Sequence, residues 1–579
     1  MTHPNRSSFG RLWRWLATLC VLLLVLVACL GYRAVQVRTH LLEARAALTS
    51  LGADPAAMDP EELRRVQRRA QADVAAARQA VDDPLWRAVA AVPVAGSTLA
   101  TVSAITRSTD TVVAEVLPPL ITAFEDVKAG ELLADGRVDL ALLETIGVSI
   151  ERAGTAAAAA TAELPAAERY LPGAVQEARR DLEDQLKTLT SGLGTADTAL
   201  TLAPPMLGAQ GPRRYFLAVQ NNAETRGTGG LVGAYAVLRV DQGAISLERV
   251  GTNQEFRTAD EPVVDLGPEY SELYDQYGGR TYWSAAVITP HWPSAAAVMA
   301  GLWEAQGGGP IDGVIGIDPL AMADILAVTG PAQVGGRTIS ADNVVDFVMR
   351  DEYAEFADGS GERKEVLSEL AAAIYREVIA GDYEATAMAR ALADAGGSGH
   401  LQLYSDDPEE QVVLAPLRVA GALPSEPGAY LQVSMTNAAG NKADYYLRRK
   451  VGYRRVGGIG TVTVELTNTV DPAAVPPIVI GRLDDPEQPV DPGQTRLIVS
   501  LVIGVGEKFG EVRVNGKPVA VQIASEQGHG VAVVEVEVSP QRPTVIAADV
   551  TDPGGELVYR QQPLVVDDTL ELEVPYRKE

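Results

Sequence analysis

The stretch YFLAVQNNAETRGTGGLVGAYAVLRV, residues 215–240, organises the middle of the chain. Two apolar runs, YFLAV and LVGAYAVLRV, flank a polar segment that holds Asn221, Asn222, Glu224, Arg226 and the run Gly227-Thr228-Gly229-Gly230. Apolar, β-branched-rich runs bounded by glycines read as strands, so the polar segment joins two of them. Two readings fit it: an ordinary hairpin connection, or a loop built to hold an anion. Glycines permit positive φ, and successive free N–H groups form nests that attract anions. Arg226 adds a planar fork suited to phosphate. The segment is not a P-loop, because GxxxxGK[ST] is absent and no helix is predicted to follow.

Outward from this stretch, strands and helices alternate. AISLERV (244–250) and IDGVIGI (311–317) read as strands, whereas PSAAAVMAGLWEAQG (293–307), PLAMADILAVTG (319–330) and ERKEVLSELAAAIYREVI (362–379) carry helical spacing. That alternation predicts an α/β domain, set at 204–439 from the composition break at Pro204-Pro205. From 440 to 579 helical periodicity gives way to runs such as GTVTVELTNTV and TRLIVSLVIGV, with VNGK as a hairpin turn. This predicts an all-β, immunoglobulin-like sandwich. Before the α/β domain, residues 33–203 are rich in Ala, Arg and Glu and read as an all-α helical bundle or stalk.

The N-terminus predicts a membrane anchor. Residues 15–32 carry no charge and follow Arg6, Arg11 and Arg14, a basic leader before an apolar span close to the ~20 residues that cross a bilayer. The simplest topology is a cytoplasmic tail (1–14), a single transmembrane helix (15–32) and an extracytoplasmic body. An alternative reads Leu26-Val27-Ala28-Cys29 as a lipobox with Cys29 acylated. Both cysteines, Cys20 and Cys29, fall in this segment, so the body has no disulfide, thiolate nucleophile or cysteine-held metal. Beyond residue 40 the histidines are His291, His400 and His529, none in an HExxH spacing. The formal charge of −27 argues against general nucleic-acid binding, which needs a basic footprint.

Two further loops carry chemistry. NQEFRTAD (253–260) places Arg257 and Asp260 at a strand exit, where ligands of α/β sheets usually bind. DGSGERKEV (358–366) puts Arg363 and Lys364 in the first turn of a helix, where cations are unfavourable unless an anion is close. Trp283, Trp292 and Trp303 read as packing anchors, with lining of a lipid or sugar cleft as the alternative. Asp312 fits a turn and Asp318, before Pro319, fits a helix cap. Lys442 and Asp444 of GNKADYY are expected to pair across the start of the β domain.

The order NNAETRGTGG, IDGVIGIDP, ADNVV, NKADYYLRR resembles a bacterial membrane-anchored family known as domain of unknown function 4012. More distantly, the α/β part is similar to the LytR–CpsA–Psr phosphotransferases, which attach glycopolymers to the bacterial wall. The corresponding pieces are RGTGG, EFRTAD, IDGVIGIDPLAMADILAVTGPAQV and GERKEVLSEL. That resemblance implies a LytR–CpsA–Psr-like domain in which Arg226, Arg257 and Arg363 hold the pyrophosphate of a polyprenyl-linked donor. It also implies that Asp260 or Glu224 assists a magnesium ion or accepts a proton. Asn221, Asn222, Lys442 and Asp444 form an accompanying polar cluster. The sequence departs from the pattern: a glycine stands where the arginine loop would carry an aspartate, and Asp260 is displaced by two positions. Two functions follow, an envelope protein that binds or transfers a polyprenyl-pyrophosphate-linked glycopolymer to the wall, or a non-enzymatic envelope scaffold or binding protein that has lost catalysis and engages protein or glycan partners.

Overall fold

The structure, a computed structural model, describes residues 7–49, 60–93, 96–164, 171–356, 360–484 and 489–579, with side chains from Leu24 onward in the first helix. Arg6 of the basic leader and residues 358–359 of the third loop lie outside the described residues. The chain folds as two compact units, residues 1–132 with 141–203, and residues 133–140 with 204–579.

The first unit is helical, as predicted. Helices Ser7–Thr49, Pro60–Val81, Ser97–Thr111, Leu117–Ala129 and Leu140–Ala162 bury narrow stripes of alanine and valine, among them Ala70, Val74, Ala77, Ala153 and Ala157. Small side chains at these positions let helix backbones approach closely. Trp86 fills one seam and donates its indole N–H to Ser103 Oγ at 2.9 Å. A π-turn at Val112–Val116 precedes Pro118-Pro119, where missing N–H groups and ring bulk break the ordinary helical ladder. The helix Ser7–Thr49 runs through the expected anchor, and Cys29 within it is exposed and free. Among the described residues, no helix is long and apolar enough to cross a membrane; the side chains of 7–23, which hold half of the expected span, are not among them.

The second unit contains a seven-stranded sheet. Its central strand, Arg213–Arg226, pairs antiparallel with Gly229–Asp241 and parallel with Gly313–Ile317. Every other pairing in the sheet is antiparallel, so the alternation read from the sequence produces one parallel crossover among antiparallel neighbours. Leu133–Ala134 and Arg137–Val138 extend the far edge. Alternating residues of the central strand face two cores. Phe216 and Ala218 join Trp283, Trp292, Met299 and Trp303, whereas Leu217 and Val219 pack with Ile325, Leu370 and Ile374. The three tryptophans are therefore packing anchors. Phe256 stacks on Trp283 at 3.7 Å and Phe216 on Tyr235 at 5.2 Å.

Two six-stranded sheets form the C-terminal part and share an apolar core that includes Leu431, Val433, Val462, Val499 and Ile546. Each pairing set contains parallel strands, Tyr430–Asn437 with Leu557–Arg560 and Leu447–Val456 with Thr569–Leu572. The sandwich starts earlier than residue 440, because Tyr430–Asn437 is a central strand of one sheet. The hairpin at VNGK is present, with Asn515 at φ 51 and Gly516 at φ 76, the left-handed pair that a two-residue turn needs.

The opening segment is a hairpin with a bulge, not a free loop. Asn221 pairs with Leu231 and Thr225 with Gly230, which leaves Asn222, Ala223 and Glu224 looped out of the ladder. The turn is buried, and its amides are taken internally: Thr228 donates to Val287 O at 3.4 Å and Gly230 to Gln220 Oε1 at 3.1 Å. The glycines thus serve close approach rather than an anion nest. A Cβ on Gly227 would sit 2.2 Å from Ile288 O and 2.4 Å from Thr289 O. Gly227→Ala is expected to destabilise this unit by at least ~2 kcal/mol in denaturant unfolding, because backbone cannot yield as a side chain does; a change under ~0.5 kcal/mol would contradict the packing described.

Candidate functional site

The bulge at 222–224 is fixed by charge. Arg226 is 7 % exposed, and its guanidinium donates to Ser284 O at 3.1 Å, Asn437 O at 3.0 Å, Thr225 O at 2.9 Å and Glu224 Oε1 at 2.7 Å. Lys442 binds the other Glu224 oxygen. Burial alone would raise the Glu224 carboxyl, but Arg226 and Lys442 outweigh it and hold its pKa below the usual range. Asp444 does not pair with Lys442 as the sequence suggested. It accepts the Thr225 N–H at 2.9 Å and the Asn437 side-chain amide at 3.0 Å, while burial pushes its pKa up to about 6 against those bonds. Lys442 and Asp444 therefore grip the same hairpin tip from one short segment.

Beside this tip lies a cavity of about 390 Å³. Asn221, Glu224, Arg226 and Lys442 reach it from one side, and Arg363 and Lys364 from the first turns of the helix Ser360–Ala380. Arg363 lies 4.8 Å from the Tyr353 ring centroid, and its Nη1 has no hydrogen-bond partner. Lys364 donates to Asn253 Oδ1 at 3.1 Å; burial, then Arg363 and Lys442, lower its pKa. The Tyr353 hydroxyl accepts from Asn221 Nδ2 at 2.9 Å.

Glu352 was not singled out from the sequence, yet it is the unusual group here. Its side chain is 1 % exposed, Arg363 Nε stands 3.7 Å away, and neither carboxyl oxygen has a hydrogen-bond partner. Burial pushes its pKa up to about 8, against the pull of Arg363, Lys442 and the neighbouring Tyr353 hydroxyl. The sequence does carry a signal for it: Glu352 follows Val344 and Val348 at intervals of four, on the apolar face of a helical stretch.

The other expected residues are placed as follows. Arg257 and Asp260 are exposed and do not line the cavity. Phe256 turns into the aromatic core, which sends its neighbour Arg257 outward. Asn222 lies behind the tip, donating to Asp318 Oδ2 at 2.9 Å and Pro563 O at 3.1 Å. Asp318 caps its helix as predicted, accepting from Leu320 N at 3.0 Å and Ala321 N at 3.2 Å, and it also binds His400 Nδ1. Asp312 accepts the Arg214 N–H at 2.7 Å. The cavity does not fit a resident magnesium ion: of its carboxylates, Glu224 is engaged by Arg226 and Lys442, Asp484 by Arg482, and Glu352 stands beside Arg363, while Asp260 is elsewhere. In the helical unit, His40, Glu43 and Asp73 place ligand-type atoms within 4.8 Å of one another, on partly exposed side chains.

Fold and cavity define a multidomain protein, with a helical region, a mixed sheet covered by helices, and a β-rich C-terminal part beside a cavity lined by both cations and carboxylates. Residues 210–353 match a family model described as "Protein of unknown function (DUF4012)". The match supports the family expectation over those residues, which include Asn221, Glu224, Arg226 and Glu352. No curated protein and no solved structure matches the chain.

Glu352 has a definite consequence for stability. Its folded pKa lies above its unfolded value, so between about pH 4.5 and 8 the native state holds a proton that the unfolded chain releases. Stability therefore falls as pH rises through that window, by ~1.4 kcal/mol per pH unit at most from this group. Unfolding of Glu352→Gln, compared with wild type across pH 5–8 (roughly that window), is expected to show a shallower decline. Parallel curves would remove the assignment.

Proposed function

We propose that this cavity binds the phosphate end of a phosphate-headed amphiphile of the cell envelope, with a polyprenyl-pyrophosphate-linked glycopolymer as the ligand class. The observation that carries the reading is that Arg363 and Lys364 reach a cavity in which neither hydrogen-bonds a carboxylate, whereas Lys442 and Arg226 there are paired with Glu224. Two cations left without a carboxylate hydrogen bond at one cavity of a chain with net charge −27 favour an anion there, beside Glu352 and Asp484. Two lining residues are apolar side chains turned to solvent, Tyr282 at 49 % and Leu483 at 81 % exposure. Cations inside and apolar groups at the rim suit a ligand with a charged head and a hydrocarbon tail.

The uncharged segment 15–32 after its basic leader supports membrane attachment, with the body extracytoplasmic, where such carriers are used. The resemblance to the LytR–CpsA–Psr phosphotransferases motivates the ligand class. Binding is preferred to transfer, because Arg226 is spent on internal partners and Asp260 stands outside the cavity. An envelope scaffold that retains the ligand and has lost the chemistry is the form of the protein this favours.

Full-length protein in lipid nanodiscs, titrated with geranyl diphosphate, inorganic diphosphate and geraniol, tests the reading. Geranyl diphosphate is expected to bind most tightly and geraniol least. The double variant Arg363→Ala, Lys442→Met should weaken diphosphate binding at least tenfold, about 1.4 kcal/mol or more, while Arg257→Ala leaves it unchanged. Leu483→Ser should weaken geranyl diphosphate but not inorganic diphosphate. Equal binding by wild type and the double variant would sink the proposal.

A further inference from the structure

Glu352 is held in a way that structure alone does not explain. Its carboxyl lies at the cavity, shielded from solvent, without a hydrogen bond to either oxygen. Buried polar groups are nearly always paired, and an ionised carboxylate left unpaired strongly favours neutralisation. The groups around it can be named element by element. Tyr353 adjoins it on its own helix; its hydroxyl oxygen accepts from Asn221, and its O–H is the one neutral donor that also bears on Glu352. The helix Ser360–Ala380 brings Arg363, at 3.7 Å, and Lys364. Lys442 reaches in from the sandwich side with its charge already met by Glu224, which comes from the central strand. Arg363 and Lys364 present cations that no carboxylate hydrogen-bonds; of the two, Arg363 is the one beside Glu352, and 3.7 Å is too long for a hydrogen bond.

Resting on the anion-binding reading, we propose that the cavity takes up its oxyanion together with a proton on Glu352, whose carboxylic O–H donates a hydrogen bond to a ligand oxygen beside Arg363. Neutral Glu352 adds a donor where an ionised one would repel the ligand, so the anion and the proton bind cooperatively. At neutral pH the proton is already in place, since burial holds this carboxyl in its acid form up to about pH 8. At higher pH it comes from solvent, one per ligand bound. Linkage then requires the ligand's affinity to fall as pH rises past the titration of Glu352. Glu352 is thus the residue that selects ligands able to accept a hydrogen bond at this point, which phosphate oxygens do and an ammonium or alkyl group does not.

The test compares wild type and Glu352→Gln, full length in nanodiscs, by calorimetric titration with inorganic diphosphate across roughly pH 6–10. Glutamine keeps the shape and a donor but cannot ionise. The ratio of the two affinities cancels the titration of diphosphate and of Lys364. It should stay within about threefold below pH 7.5 and then move against wild type by up to tenfold per pH unit. Above about pH 8, heats measured in buffers of different ionisation enthalpy should show wild type taking up nearly one proton more per ligand than Glu352→Gln. Glu352→Met, which removes the donor, should bind about tenfold more weakly than Glu352→Gln at every pH. A separate readout needs no ligand: the infrared difference between wild type and Glu352→Gln at pH 7 should contain a protonated-carboxyl band. Diphosphate binding with a flat affinity ratio, or without that band, overturns this inference and leaves the anion site standing. Absence of wild-type binding at every pH overturns both.

Discussion

The second unit depends on how the tip of its central hairpin is held. Arg226 is the hub: one guanidinium reaches the helical layer at Ser284, the sandwich at Asn437 and the bulge at Glu224. Gln562, fully buried, closes the other side. Its amide N–H groups donate to Arg226 O at 2.7 Å and Met435 O at 2.9 Å, and its oxygen accepts from Met435 N at 2.9 Å. Removing one partner of such a buried pair strands the other charge at a cost of about 3–5 kcal/mol. Replacing the whole set with apolar groups would cost far less. What the polar set adds is register, since each donor has one acceptor and a slip of the hairpin would orphan several at once.

That constraint decides which groups remain for a ligand. Because Arg226 and Glu224 satisfy each other, the loop most suggestive in the sequence is structural in its charged core. The groups left with unmet capacity come from elsewhere: Arg363 on the following helix and Glu352 just before it. Lys442 belongs to both sets, gripping Glu224 while lining the cavity. Hairpin and site are therefore neighbours joined by one lysine, and the rigidity of the first fixes the position of the second.

The sequence disclosed what local rules govern. Apolar, β-branched-rich runs bounded by glycines marked the strands, Asp318 before Pro319 marked a cap, and Asn515-Gly516 marked a turn, because each depends on residues a few positions apart. Arg226, Arg363 and Lys442 were also legible, as cations in polar segments next to regular elements. Their division of labour was not. Whether an arginine serves a ligand or a neighbouring carbonyl depends on what lies across the interface, and Asn437 and Ser284 are more than fifty residues away. Arg257 shows the converse error, since Phe256 committed to the aromatic core and alternation then turned the arginine to solvent. Glu352 was hidden by its setting within an amphipathic stretch, where a single charge on the apolar face passes for a boundary residue.

Glu352 also bears on why the cavity exists. An unpaired buried carboxyl makes the native state less stable at neutral pH than a leucine or methionine of similar volume would. The surrounding fold tolerates it because the hairpin, sandwich and tryptophan core overdetermine the geometry. Polar groups that break local rules without structural compensation concentrate where a molecule does its work. Here the acid and the arginine stand 3.7 Å apart, too far for a hydrogen bond and too close for an atom between them. A third group, anionic and able to accept hydrogen bonds from both, serves them only from the cavity side, lying against the pair.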